Sequence, residues 1–84
     1  QEASLAFYRA LSAERRLAVT RDGLELTTRL LTAVRTQVRE GEISTLEGTL
    51  AEIEFGRARA RVLEAERVAL ASMLELKRVT GLAP

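Results

Sequence analysis

The sequence predicts an all-α fold: an antiparallel two-helix coiled-coil hairpin that associates into a larger helical bundle or barrel. Three observations predict it. Apolar residues recur every seven residues in both halves of the chain, a glycine separates the halves, and the two repeats fall in register when the chain folds back at that glycine. The only proline is the last residue, so nothing interrupts two long helices. We expect a single hairpin over residues 1–84, with helices at about 3–40 and 45–80 and a turn at 41–44.

Two heptad columns define the interface between the predicted helices, which we call the seam. In the first column the paired residue numbers sum to 86, and the pairs are Leu17 with Ala69, Leu24 with Val62, Leu31 with Phe55 and Val38 with Gly48. In the second column the numbers sum to 85, and the pairs are Ala13 with Ser72, Thr20 with Ala65, Thr27 with Ala58 and Val34 with Ala51. Larger side chains mostly face smaller ones, which favours close packing of the two helices.

The turn between the helices has a clear local signature. Gly41 is placed to adopt the left-handed conformation that ends many helices. Ser44 then starts a Ser-x-x-Glu capping box that Glu47 completes. Gly81 is expected to end the second helix, and Pro84 to prevent its continuation.

Pairing the seam leaves further apolar residues on both helices. We call Val19, Leu26, Leu30 and Ala33 the first-helix stripe. We call Leu46, Ile53, Ala60, Leu63, Leu70 and Leu74 the second-helix stripe. A two-stranded coiled coil in water carries charged residues at such positions, and long exposed apolar stripes usually mark an interface. We therefore expect each helix to contact two neighbours, and the free chain to self-associate, most simply as an antiparallel four-helix dimer.

Composition argues against several classes of function. The 13 basic and 12 acidic residues are interspersed, which is unlike a one-sided nucleic-acid surface. The chain contains no cysteine or histidine, no nucleophile–base pair and no glycine-rich phosphate loop, so no catalytic, cofactor-binding or metal-binding residue is predicted, and we expect no enzyme activity. The cluster of Glu40, Glu42 and Glu47 is interpreted as one capping residue with two solvated neighbours. No apolar run is long enough for a transmembrane helix.

A resemblance to a known family rests on the turn and on short stretches of both helices: Val38 to Glu47, Ala51-Glu52, Arg57 to Ala60, Phe7-Tyr8, Leu11, Leu17-Ala18 and Val79 to Pro84. These stretches resemble outer-membrane efflux proteins of the TolC family, and the resemblance covers nearly the whole chain. Members of that family are trimers of long chains with two repeats. Each repeat contributes strands to a barrel in the outer membrane and helices to a periplasmic tunnel.

The resemblance implies that this chain is the tunnel hairpin of one repeat, lies in the periplasm, and reaches the membrane only through other parts of a longer parent chain. The chain begins at Gln1 and has helical character by Leu5, which also suggests a piece of a longer protein. In the family, the hairpin turn binds a periplasmic adaptor protein. Gly41 is the position carried over from the family, with Glu40, Glu42 and Ile43 beside it; we call these four residues the tip.

The chain departs from the family pattern at three points. Val38 stands where the family usually has an aromatic residue, Gly48-Thr49 replaces an apolar pair, and no strand pattern is present. The glutamate-rich turn is similar to the cation-efflux branch, and the closing segment to the end of a first repeat. Two alternatives stay open: the coiled-coil hairpin of the adaptor (membrane-fusion) protein, which turns through Gly-x-Ile-Ser-like sequences, and a dimerising scaffold with no transport role.

Overall fold

The computed structural model describes residues Glu2–Gly81 as two long helices joined by a tight turn. Helix α1 spans Glu2–Arg39 and helix α2 spans Thr45–Thr80. No strand occurs within this range, and the hairpin measures 59 × 16 × 16 Å along its principal axes. The predicted all-α helical hairpin is therefore confirmed. Helix α1 begins and ends one residue earlier than the sequence suggested, and the predicted stop at Pro84 lies outside the described residues.

Both helices carry favourable charges at their ends. Glu2 lies in the first turn of α1 and Arg39 in its last turn, and α2 has Glu47 near its start and Lys77 and Arg78 near its end. Acidic groups near the amino end and basic groups near the carboxyl end of a helix each contribute about 0.3–1 kcal/mol. These local preferences support two long helices, but the contact between them fixes the hairpin.

The core of the described residues is a narrow strip along the contact between α1 and α2. Its fully buried members are Ala6, Ala10, Ala13, Leu17, Leu31, Ala58, Val62, Ala65 and Ala69. Six of these nine are alanine, so the helices can approach closely, but each contact buries little apolar area. Most of each helix surface therefore remains available to other partners.

Candidate interaction surfaces

The end of α1 is closed by a glycine in the left-handed conformation. Gly41 has a φ of +76°, and its N–H donates to the carbonyl of Val38 at 3.0 Å. The next residue, Glu42, donates its N–H to the carbonyl of Gln37 at 2.8 Å. These two bonds form a Schellman motif, which satisfies carbonyls at the helix end and requires a left-handed residue at the glycine position.

The start of α2 is fixed by Ser44. This residue is extended, with φ −76° and ψ 158°, and its hydroxyl accepts the backbone N–H of Glu47 at 3.3 Å. Its carbonyl accepts the N–H of Gly48 at 3.3 Å. The structure thus contains the serine half of the predicted capping box. Because both sides of the turn are held by backbone hydrogen bonds, the tip is a defined surface.

The four tip residues form the outer end of the hairpin. Glu40, Gly41 and Glu42 are exposed, and Ile43 is half-buried. Within residues 2–81, neither glutamate has an ion-pair partner within 4.0 Å. The tip therefore offers acidic and backbone polar groups around one partly accessible apolar side chain, which suits contact with another protein. Partner binding at the tip stays a prediction.

The middle of the seam contains the main packing cluster. It consists of buried Ala13, Leu17, Val62, Ala65 and Ala69, with half-buried Leu24 and Val68 packed against them. The predicted seam residues outside this cluster that are buried are Leu31 and Ala58, and the half-buried ones are Thr20, Thr27, Val34, Val38, Gly48, Ala51, Phe55 and Ser72. Every residue of the two predicted columns is therefore buried or half-buried.

Near the tip, the seam narrows at a glycine. A Cβ built on Gly48 would lie 3.1 Å from Cγ2 of Val38, closer than an ordinary van der Waals contact. Val38 and Gly48 form one of the predicted pairs whose residue numbers sum to 86. A Cβ at position 48 would require the Val38 side chain or the helices to shift by a few tenths of an ångström, so glycine suits the close approach here.

Two threonines in the seam have their hydroxyls satisfied within their own helix. The hydroxyl of Thr20 donates to the carbonyl of Leu17 at 2.9 Å, and that of Thr27 donates to the carbonyl of Gly23 at 2.8 Å. A half-buried hydroxyl without a partner would destabilise the seam, and these local bonds avoid that cost. Threonine is therefore compatible with a mostly apolar contact.

Three ion pairs connect the helices along the edges of the seam. Arg9 lies 3.3 Å from Glu75, Arg21 lies 3.1 Å from Glu66, and the longest pair joins Arg35 and Glu52 at 3.7 Å. All six side chains are substantially exposed, so each pair contributes about 0–1 kcal/mol. Their main effect is to favour one register over a shifted one.

Pairs within α2 follow helical spacing. Arg57 lies 3.1 Å from Glu54, and Arg67 lies 2.5 Å from Glu64. The side-chain hydrogen bond from Arg67 lowers the pKa of Glu64 below its ordinary value. Both side chains are largely exposed, so this pair belongs to the solvated surface.

The seam continues beyond the positions inferred from the sequence. Ala6 and Ala10 are buried near the start of α1, and Val79 and Leu76 are half-buried near the end of α2. Ala10 and Leu76 continue the column whose numbers sum to 86, and Ala6 and Val79 continue the column that sums to 85. The heptad pattern contains this signal, but alanine alone is too weakly apolar to mark a core position.

Both apolar stripes lie outside the hairpin contact. Every residue of the first-helix and second-helix stripes is exposed, with Val19 at 70% and Leu46 at 67%. Helical spacing places the first-helix stripe on the side of the seam that carries the Arg9–Glu75 pair. It places the second-helix stripe on the opposite side, next to Glu52 and Glu66. The hairpin therefore presents two apolar surfaces that face different directions.

In comparisons with protein-family models, curated proteins and solved structures, the chain matches none. Neither helix of the described residues is both long and apolar enough to cross a membrane. The function is therefore inferred from the turn, the seam and the two stripes.

Proposed function

We propose that the chain is a periplasmic wall hairpin of an outer-membrane efflux channel. In this role the hairpin is a passive structural element, and solutes or ions pass through a conduit that several hairpins enclose. The tip docks a periplasmic adaptor protein, and the intact channel is a trimer of longer chains. The chain performs no chemistry of its own.

The observation that carries the proposal is the position of the two stripes. An isolated hairpin needs no apolar residues outside its seam, yet both helices expose a row of them on different sides. A hairpin in the wall of a tunnel contacts one neighbour through each helix, and it requires two such surfaces. If two copies met through the same surface on each, the contact would instead favour a closed two-fold dimer.

The turn supports the same role. A rod 59 Å long with a well-defined end can present that end to a partner at a distance from its other attachments. The Schellman motif at Gly41 and the Ser44 cap hold the tip in one conformation, which lowers the entropic cost of docking. These features also fit the adaptor hairpin, which is the second candidate.

The coding sequence on either side of the hairpin distinguishes the candidates. A channel subunit has alternating, barrel-type strand patterns next to the hairpin, whereas an adaptor has the two halves of a lipoyl-like β-domain. A scaffold with no transport role has neither pattern and no secretory signal peptide. Strand patterns of the barrel type support the proposal, and either of the other results overturns it.

A chimeric channel tests the function directly. The hairpin replaces the equivalent segment of a TolC-family channel, and drug resistance is measured in cells that lack their own channel. We expect the chimera to restore efflux, and Gly41→Val to abolish it because a β-branched residue is strained at a φ of +76°. Gly41→Asn is the matched control, since asparagine tolerates the left-handed conformation and leaves the turn intact. Unchanged efflux with Gly41→Val would count against tip docking.

A further inference from the structure

Each stripe belongs to a second heptad pattern that includes a glycine. In α1 the spacing alternates between four and three residues through Val19, Gly23, Leu26, Leu30 and Ala33. In α2 the same spacing runs through Thr49, Ile53, Gly56, Ala60 and Leu63. A Cβ built on Gly23 or Gly56 meets no atom within 4 Å, so neither glycine is required by the hairpin itself. In the middle of a helix each costs about 1 kcal/mol relative to alanine, which calls for another explanation.

We propose that the first-helix stripe of one copy packs antiparallel against the second-helix stripe of a second copy, in one defined register. The register follows the alternation seen in the seam, with paired numbers that sum to 82 and 83. The central layers, with the second copy named last, are Val19 with Leu63, Gly23 with Ala60, Leu26 with Gly56, Leu30 with Ile53 and Ala33 with Thr49. In this register Leu26 packs onto the glycine that the hairpin leaves open, and the helices approach at Gly23.

The charged residues beside the stripes select the same register. In the hairpin, the flanking pair Arg9–Glu75 has numbers that sum to 84, two less than the layer sum of 86. In the contact between copies, the layer sum of 83 corresponds to the sum of 86 in the hairpin. The equivalent flanking pairs therefore have numbers that sum to 81. These pairs are Arg15 with Glu66, Asp22 with Arg59 and Arg29 with Glu52, and all three join opposite charges; Glu66 and Glu52 also bind Arg21 and Arg35 of their own hairpin.

Shifting the second copy by one heptad in either direction reverses this match. Asp22 then faces Glu52 or Glu66 of the second copy, and Arg59 of the second copy faces Arg15 or Arg29. Each shifted register thus contains two like-charge contacts, which are unfavourable. Neither Asp22 nor Arg59 has an ion-pair partner within 4.0 Å among residues 2–81, and the Arg59 guanidinium lies over the Phe55 ring, 5.9 Å from its centroid. The contact between copies gives both side chains a partner.

One layer of this register brings two arginines together. Arg16 faces Arg67 of the second copy, but each Arg67 is already bound to Glu64, and long side chains can direct their charge into solvent. The register displaces neighbouring hairpins by three residues, about 4.5 Å along the rod. Each hairpin spans two of the usual spacings between helix axes. A common tilt of all helices by about 13° therefore accommodates this displacement in a closed ring.

This inference does not depend on a transport role. It concerns how copies of the hairpin pack, whereas efflux tests what the packed hairpins do. A chain that docks no adaptor can still form this contact, and a chain that restores efflux can pack in another register. The experiments therefore separate the two proposals.

Disulfide trapping tests the register, because the chain has no native cysteine. Leu26→Cys and Gly56→Cys are made in separate chains, purified, and mixed under oxidising conditions. We expect a crosslinked heterodimer as the main product, since the two positions face each other in the proposed layer. A Leu26→Cys chain that crosslinks mainly to itself would show a symmetric contact between first-helix stripes and overturn the inference. Absence of the heterodimer would also overturn it.

Charge exchange provides an independent measurement. Asp22→Arg and Arg59→Glu are each expected to weaken self-association by about fivefold in low salt, and the two changes in one chain to restore it. Glu14→Arg is the matched control, because Glu14 lies on the other side of α1, outside the proposed contact. Circular dichroism establishes that each variant keeps its helices. Stronger association with Asp22→Arg alone would indicate a shifted register, and no recovery in the double variant would contradict the pairing.

Discussion

Two adjacent leucines allow a direct test of the seam. Leu31 is 4% exposed at the contact between the helices, whereas Leu30, the preceding residue, is 55% exposed in the first-helix stripe. The substitutions Leu31→Ala and Leu30→Ala remove the same atoms from the same helix turn and change helix propensity equally. Any difference between the two variants therefore reports burial alone.

The expected magnitudes follow from the two environments. Leucine-to-alanine changes in cores cost about 2–5 kcal/mol, and a narrow seam between two helices can partly collapse around the gap, so we expect about 2–3 kcal/mol for Leu31→Ala. For a chain of this size, that loss lowers the melting temperature by about 10–20 °C. Leu30→Ala should change the stability of the monomer by less than about 0.5 kcal/mol.

Urea unfolding followed by circular dichroism measures both variants at a protein concentration low enough to keep the chain monomeric. At higher concentration Leu30→Ala should also have an effect, because it removes part of a proposed contact between copies and should weaken self-association. Equal losses for the two variants at low concentration would refute the placement of the seam. So would a loss below about 0.5 kcal/mol for Leu31→Ala.

Three further predictions concern the tip and the surface. Ser44→Ala removes the hydroxyl that caps α2 and should lower the free energy of unfolding by about 1 kcal/mol, measured by urea titration. Gly48→Leu should separate the helices near the tip at a cost of about 1–3 kcal/mol, whereas Gly56→Leu, with open space around it, should leave the monomer at least as stable. The hydrogen bond from Arg67 lowers the pKa of Glu64 below its ordinary value of 4.5. The ionised Glu64 therefore stabilises the folded chain at pH values above 4.5, and this stabilisation is lost as the pH falls through the lowered pKa. Glu64→Gln should remove that part of the acid dependence, measured as stability against pH; an unchanged profile would assign the dependence to other carboxylates.

Much of the fold could be predicted from the sequence because a hairpin has few degrees of freedom. Once Gly41 fixes the turn, the heptad spacing determines which residues face each other, and Leu17 and Ala69, one of the predicted pairs, lie in one buried cluster. The turn could be predicted equally well, since positions 41 and 44 each have a local conformational requirement that Gly41 and Ser44 meet and few other residues do.

Other features could not be predicted because several partners compete for one side chain. Helical spacing in α2 places Arg78 three residues after Glu75, within reach of an ion pair, but Glu75 accepts a hydrogen bond from Arg9 of α1. Helical spacing shows only which partners are near on the same helix, whereas cross-helix distances depend on how closely the helices approach. The buried Ala6 was missed for a related reason, since alanine is common at exposed helix positions as well.

The self-association of the 84-residue chain without substitutions tests the central claim most directly. That claim is that the hairpin exposes more apolar surface than it can cover by itself. Sedimentation equilibrium from low to high micromolar concentration measures it without any substitution. We predict a concentration-dependent assembly, with the two stripes covered by other copies. A folded chain that stays monomeric over the whole range would contradict the account.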